Sequence, residues 1–320
     1  MTRLNRLLWS TGLRRLVSVC ALLSLAIGAV GAAAWLASPS PAALAARVET
    51  RLHGTTGQPV SVSAIPAILR EAVVSTEDER FYRHHGIDVI GVIRALPYDV
   101  THLSFAQGAS TITEQVAKVL YLGGNDHSPW RKLEDAAVAW KLENRYSKAQ
   151  ILAAYLNGAY FGEHAYGIKA ASERYFGILP RRLDVGQASL LAGLIQAPSV
   201  YDPYRNPGLA RARQAEVLRS LVRNGFLEVD RAASTLARPL RLCSGVIMQP
   251  VRGVDLAPGP AFVWWQLALG ATIVLIGAAG LVATRLRAGR FLRGVLVLRL
   301  VLLAVMVIGA AVIVRSFRTA

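Results

Sequence analysis

The sequence predicts a mainly α-helical protein in which one large domain with a polar surface is held between membrane-spanning helices. Three observations predict it. The 320 residues are 53% hydrophobic and their mean hydropathy is positive, which is enough apolar material for a full core and for membrane segments besides. Long apolar runs stand at 16–36, 261–284 and 294–314. Between Pro41 and Pro260 the composition is that of a soluble domain, its periodicities are mostly helical and its strand signals are sparse.

Residues 1–15 form a basic tail with Arg3, Arg6, Arg14 and Arg15. The charge-free run that follows is about twenty residues long, enough to cross a hydrocarbon core of roughly 30 Å, so a transmembrane helix is expected over 16–37. A cleavable signal peptide is the competing reading, since Ala32, Ala33, Ala34 and Ala37 supply small residues. Against it, the run exceeds the ~7–15 residues of a usual signal-peptide core. Transmembrane helices at 261–284 and 294–314 read as a hairpin, joined by the basic loop 285–293 with Arg285, Arg287, Arg290 and Arg293. The positive-inside rule puts both basic clusters in the cytoplasm and the domain at 45–250 on the opposite side of the membrane. Arg299, near the inner end of the last span, is placed to snorkel to the interface.

Within the domain, Ala42–Ala46 reads as a helical stalk, and Val60–Ser63 is the best strand signal, a short alternating piece. Ser147–Asn157 reads as an N-cap followed by a helix with Ile151, Leu152, Tyr155 and Leu156 on one face. Leu183–Gln196 reads as a long helix rich in Ala and Leu. The two cysteines, Cys20 in the first apolar run and Cys243 far away, offer neither a disulfide framework nor a four-ligand zinc site.

The net charge of +16 favours anionic partners: nucleic acid, lipid headgroups or pyrophosphates. Three clusters carry chemistry-bearing residues. Residues 77–86, EDERFYRHHG, pack three carboxylates, two histidines and two aromatic rings into ten positions. A carboxylate against aromatic rings has its pKa raised by desolvation, toward the range where it takes a proton from a hydroxyl at neutral pH, and Glu77 is the candidate base. A solvated helix end in which Arg80 and Arg83 pair with the acids is the structural alternative. Residues 107–118, QGASTITEQVAK, offer small residues for close approach, uncharged hydrogen bonds from Ser110, Thr111 and Gln115, and a cation at Lys118; the stretch is equally a good helix N-cap. Residues 131–148, RKLEDAAVAWKLENRYSK, put Arg131 and Lys132 at a helix head, suited to a pyrophosphate, with Glu134 and Asp135 beside them as carboxylates for a divalent metal. An amphipathic helix laced with ion pairs fits the same pattern.

Read in order, these clusters resemble the motifs of glycosyltransferase family 51, found in monofunctional peptidoglycan glycosyltransferases and in class A penicillin-binding proteins. The series continues with YLNGAYFGEHAYGIKAASERYFG from Tyr155 to Gly177 and LLAGLIQAPSVYDPYRNP from Leu190 to Pro207. Five ordered motifs are far more specific than one. The resemblance implies a mainly α, lysozyme-like glycosyltransferase domain, with a membrane-proximal subdomain for the lipid substrate; the expected spans make the protein multi-pass, with this domain on the outer face of the bacterial cytoplasmic (inner) membrane. The resemblance also implies Glu77 and Asp135 as catalytic residues, with the second carboxylate position open between Asp135 and Glu134, and polymerisation of lipid II into glycan strands, with inversion and release of undecaprenyl pyrophosphate. Lys118, Arg131, Lys132 and Arg145 would meet the leaving pyrophosphate, while Asp78, Phe81, His84, Ser110, Thr111 and Gln115 would shape the cleft. The carboxylates Asp135 and Glu134 would either hold a divalent ion, Mg or Mn, or orient the cations, and no tightly bound cofactor is expected.

Two positions depart from the family pattern: Glu114 where it usually has Gln, and Asp135 where it usually has Glu, with Glu134 just before it. A displacement of about an ångström is able to cost about a hundredfold in rate, so a weakly active or inactive scaffold for wall synthesis is the alternative function. A wall-cleaving lytic enzyme ranks below it. No transpeptidase motif of the form Ser-x-x-Lys follows the domain, so crosslinking is assigned to another protein. The hairpin is outside the usual pattern, and its role is open between docking a transpeptidase or the elongation or division machinery and holding the substrate-binding face closer to the lipid. Membrane lipid is an expected partner and nucleic acid is not, because many arginines flank spans.

Overall fold

Helix α1 runs Arg3–Ala37, continuing the apolar run in both directions. The computed structural model describes residues 3–91, 110–123, 128–251 and 253–256, with the side chains of 3–17 and of Cys20 outside the description. Among the described residues no helix is long and apolar enough to cross a membrane; in α1 the unbroken stretch of described side chains, 21–37, begins inside the apolar run. The hairpin expected at 261–284 and 294–314, with its loop 285–293, lies outside the described residues. The chain divides into two units, 1–95 with 105–256 and 96–104 with 257–320, and every described residue belongs to the first.

The last turn of α1 holds no basic side chain of its own. The Lys141 ammonium fills that role from elsewhere in the chain, donating to the carbonyls of Trp35 at 2.7 Å and Ser38 at 2.8 Å and standing 4.8 Å from the Trp35 ring centre. A cation at a helix C-terminus meets the negative end of the macrodipole. The chain then passes under Tyr121, whose hydroxyl donates to the carbonyls of Pro41 and Ala42. Helix α2, Leu44–Leu52, buries Leu44, Val48 and Leu52 at four-residue spacing. The expected stalk is therefore an amphipathic helix seated on the core, starting two residues later than the alanine run.

Val60–Ser63 forms no strand. The Val60 backbone N–H and C=O are instead satisfied by the Asn157 side-chain amide at 2.9 Å each, and a 3₁₀ turn follows at Val62–Ala64. An amide side chain mimics one rung of a ladder, so the alternating pattern marks an extended piece without a partner strand. Helix α3, Ala67–Glu77, ends at Glu77. Helix α4, Ile112–Val116, opens with a capping box between Thr111 and Glu114 and runs into a wide turn at Ala117–Leu122. Helix α5, Pro129–Glu143, starts from an N-cap at Ser128. Helix α6, Lys148–Gly158, starts from the predicted cap Ser147, in a capping box with Gln150.

Helix α7 covers Gly167–Phe176 and α8 covers Val185–Leu194, capped by Asp184. The predicted start at Leu183 and end at Gln196 each overreach by two residues; at the start, Asp184 captures the Gln187 N–H and sets the boundary. Helix α8 is apolar on all sides and almost wholly buried, as a central helix must be. It packs against α9, Pro207–Arg223, and against α3. Helix α10, Val229–Leu236, and the two-residue strands β1, Leu240–Arg241, and β2, Ile247–Met248, paired antiparallel, complete the described fold. Arg211 of α9 is 3% exposed and ties this last part to the core by donating to the carbonyls of Leu236, Arg238 and Gln249.

Candidate active site

Glu77 occupies the last position of α3, where packing of α3 on α8 and α9 holds its side chain at 10% exposure. Its Oε2 accepts a hydrogen bond from Gln115 Nε2 at 3.1 Å, and Gln115 Oε1 in turn accepts from the buried Tyr155 hydroxyl at 2.8 Å. Burial raises the Glu77 pKa above the ordinary carboxylate value, while the Gln115 bond and the Arg213 charge lower it and Asp78 raises it. The predicted desolvation is therefore present at Glu77, where α3 packs on α8 and α9.

Asp78 caps the end of α3 and joins it to α4. Its Oδ2 accepts the Ile112 backbone N–H at 3.0 Å, and His84 Nε2 lies 3.0 Å from both carboxylate oxygens. This clasp fixes the start of α4, the helix that presents Gln115 to Glu77. The 3₁₀ turn at Phe81–Arg83 carries the Phe81 side chain inward with no exposed surface. Phe81 thus supports the site from below, with the Lys148 ammonium 4.4 Å from its ring centre, and offers no contact surface to a substrate. Gly86 has φ 83°, and a Cβ there would meet the α5 backbone at 3.0 Å from Trp140 N, so only glycine fits. Its carbonyl accepts the Thr111 hydroxyl at 2.6 Å.

A second group gathers where α4 begins and α5 passes. Glu114, one of the two departures, is 4% exposed; its carboxylate accepts the Thr111 backbone N–H at 2.8 Å and pairs with Lys132 at 3.0 Å. The added charge is thus consumed by helix capping and an ion pair. Lys132 also donates to the Ser110 hydroxyl at 2.8 Å. Asp135 is 7% exposed, with Arg131 Nε 3.9 Å from Oδ1. Neither Asp135 Oδ1 nor Arg131 Nε has a hydrogen-bond partner among the described residues. Burial pushes the Asp135 pKa up to about 6 against the opposing charges of Lys132, Arg131 and Lys118. Arg131 also donates to the Gly123 carbonyl at 2.7 Å.

Two expected members stand elsewhere. Glu134 accepts the Trp130 indole N–H at 3.0 Å and lies 3.8 Å from Arg131, whereas Lys132, Arg131 and Lys118 all act on Asp135. Arg145 is exposed and lies 6.0 Å from the Tyr146 ring centre. Among the described residues no group of three or more His, Cys, Asp or Glu side chains is arranged to hold a metal ion. Among the described residues Asp135 stands in the field of Lys132, Arg131 and Lys118, with Glu114 as the other carboxylate acting on it, a cation-rich setting in which a divalent ion would need further anionic donors. Reading the sequence missed three participants: Tyr155, Arg213 and Glu143, which accepts from both the Thr113 hydroxyl and Lys148 at 2.6 Å. Tyr155 and Glu143 lie within quoted motifs, where a role for them was open to reading, whereas Arg213 follows the last motif and only helix packing brings it to Glu77.

Comparison with known proteins shows the family of the chain. The sequence profile of the transglycosylase family matches residues 45–222. Penicillin-binding protein 1A of Neisseria flavescens is 41% identical over 179 residues, 56% of this chain and 22% of that protein. Penicillin-binding protein 1F of Bacillus subtilis (strain 168) is 38% identical over 191 residues, 60% of this chain and 27% of that protein. The match thus spans about a quarter of these relatives' length. The crystal structure of penicillin-binding protein 1A from Haemophilus influenzae aligns over 62% of this chain and 19% of that one, with a TM-score of 0.36 and 18% identity. With its profile match covering more than half of the residues and the motif series in order along it, the chain belongs to the transglycosylase family, glycosyltransferase family 51.

Proposed function

We propose that the chain is a peptidoglycan glycosyltransferase that polymerises lipid II, with Glu77 as general base. The observation that carries the reading is the buried Glu77 carboxylate, held through one oxygen by Gln115 of α4, the short helix whose Glu114 pairs with Lys132 beside Ser110. In the reaction, Glu77 takes the proton of the acceptor sugar's 4-hydroxyl as that oxygen attacks the anomeric carbon of the growing strand. The bond to the pyrophosphate oxygen breaks on the opposite face, so configuration inverts. The departing electron pair leaves as undecaprenyl pyrophosphate, whose charge Lys118, Arg131 and Lys132 are suited to stabilise. Arg145 would act at longer range, from its place beside Tyr146. Glu77, with its pKa raised by burial, is a stronger base than an ordinary carboxylate.

The apolar run at 16–37 and its basic tail support α1 as a membrane anchor, with the domain on the outer face of the cytoplasmic membrane and the segments at 261–284 and 294–314 as a second attachment. The lysozyme-like description of the domain rests on family membership. Incubating the detergent-solubilised chain with lipid II tests the enzyme reading: long glycan strands, abolished by a moenomycin-type inhibitor, are expected, and inhibitor binding without any product would overturn it. One observation favours the weakened-scaffold reading. Asp135 is one methylene short of the family's usual glutamate, and its Oδ1 has no hydrogen-bond partner among the described residues. Asp135→Glu separates the two readings, since a gain of tenfold or more in polymerisation would mark the natural chain as attenuated, and an unchanged rate would set that reading aside.

A further inference from the structure

We infer that Arg213 is a positioning residue for Glu77, holding the carboxylate ionised and oriented without occupying the oxygen that takes the proton. The inference rests on the reading of Glu77 as the base and goes beyond it by assigning the group that keeps the base usable. Glu77 Oε2 is taken by Gln115, whereas Oε1 has no hydrogen-bond donor among the described residues and faces Arg213 Nη2 at 3.9 Å. At that separation a guanidinium stabilises negative charge but makes no hydrogen bond. Oε1 therefore keeps its lone pair for the incoming hydroxyl.

The placement of Arg213 is built into the fold. Its side chain is 11% exposed, its Nη1 is anchored on Glu216 Oε2 at 2.7 Å, and its guanidinium carbon lies 5.7 Å from the Tyr201 ring centre. Its Nε is buried with no hydrogen-bond partner among the described residues, which is costly unless the position serves another purpose. The stem passes α8 at Gly193, where a Cβ would lie 3.0 Å from Arg213 Cγ. The groups acting on Glu77 are Gln115 from α4, Tyr155 from α6, its neighbour Asp78, and Arg213 from α9. Burial and Asp78 favour the protonated acid, and of these groups Arg213 supplies the positive charge. Without it Glu77 would hold its proton to higher pH, leaving a smaller ionised fraction to act as base.

The test is a carbon-13 NMR titration of glutamate carboxyls in the full-length chain in detergent, with Glu77→Gln for assignment, read beside the pH profile of lipid II polymerisation. Arg213→Met is expected to raise the Glu77 midpoint by about one pH unit, the usual scale for losing an opposite charge at this distance. The acid limb of the activity profile should move with it, and Arg213→Lys should restore most of both. Glu216→Gln, on the exposed side, frees the guanidinium and should lower the midpoint. An unmoved midpoint in Arg213→Met overturns the inference; if that variant fails to fold, a midpoint in Glu216→Gln that stays or rises overturns it. A midpoint that moves while the activity limb stays put keeps the Arg213 assignment and sinks Glu77 as the base.

Discussion

At Asp135 the structure sets a buried carboxylate among cations that do not fully offset its desolvation. Its folded pKa of about 6 stands above the ordinary 3.8, so the folded protein binds that proton more tightly than the unfolded chain. Its contribution is then favourable at low pH and is lost as pH rises through about 6, a cost approaching about 3 kcal/mol at pH 8. Thermal unfolding of Asp135→Asn beside the natural chain at pH 4 and pH 8 checks this: the variant should gain stability only at the higher pH, and equal differences at both would contradict the shift. Glu114, its acidic neighbour, stands in the sequence where the family usually has Gln. The structure makes it a helix cap and the Lys132 counter-ion, a role its Thr-x-x-Glu spacing already spelled out.

Among the elements, caps were the most legible features, because they are local. Ser147 and its helix were readable from four residues, whereas the pairing of Gln115 with Glu77 joins residues 38 apart and depends on how α3 meets α4. The Val60 segment was misread for the same reason, since its partner is the side chain of Asn157, 97 residues away. Two caps also allow stability and function to be separated. Ser147→Ala should lower stability by about 1 kcal/mol and leave polymerisation unchanged. Thr111→Val removes both the cap of α4 and the bond to Gly86, so it should cost a similar amount in chemical denaturation and reduce polymerisation as well, because α4 carries Gln115. Equal activity in the two variants would detach α4 from the chemistry.

Across the whole molecule, motifs scattered along the sequence are brought together by helix packing, α3 against α8 and α9 and α4 against α5 and α6, and the end of α1 is fastened to α5 by Lys141. The order of the motifs made the family legible from sequence. The contribution of α9 was not, because Arg213 is placed by the approach of two buried helices. The proposed topology has a natural probe, since Cys243 is an exposed free thiol on the domain and Cys20 lies within the apolar run. A membrane-impermeant maleimide should label Cys243 from outside in intact spheroplasts and fail to label Cys243→Ser; labelling only after lysis would reverse the topology.

The central claim is that the buried carboxylate at the end of α3 is the base for strand elongation. Its most direct measurement is the initial rate of lipid II polymerisation by Glu77→Gln against the natural chain, each verified by an unchanged unfolding midpoint and retained binding of the inhibitor. A loss of about 10²–10⁴-fold is predicted for removal of a general base. A Glu77→Gln rate within a few-fold of the natural chain would contradict the account.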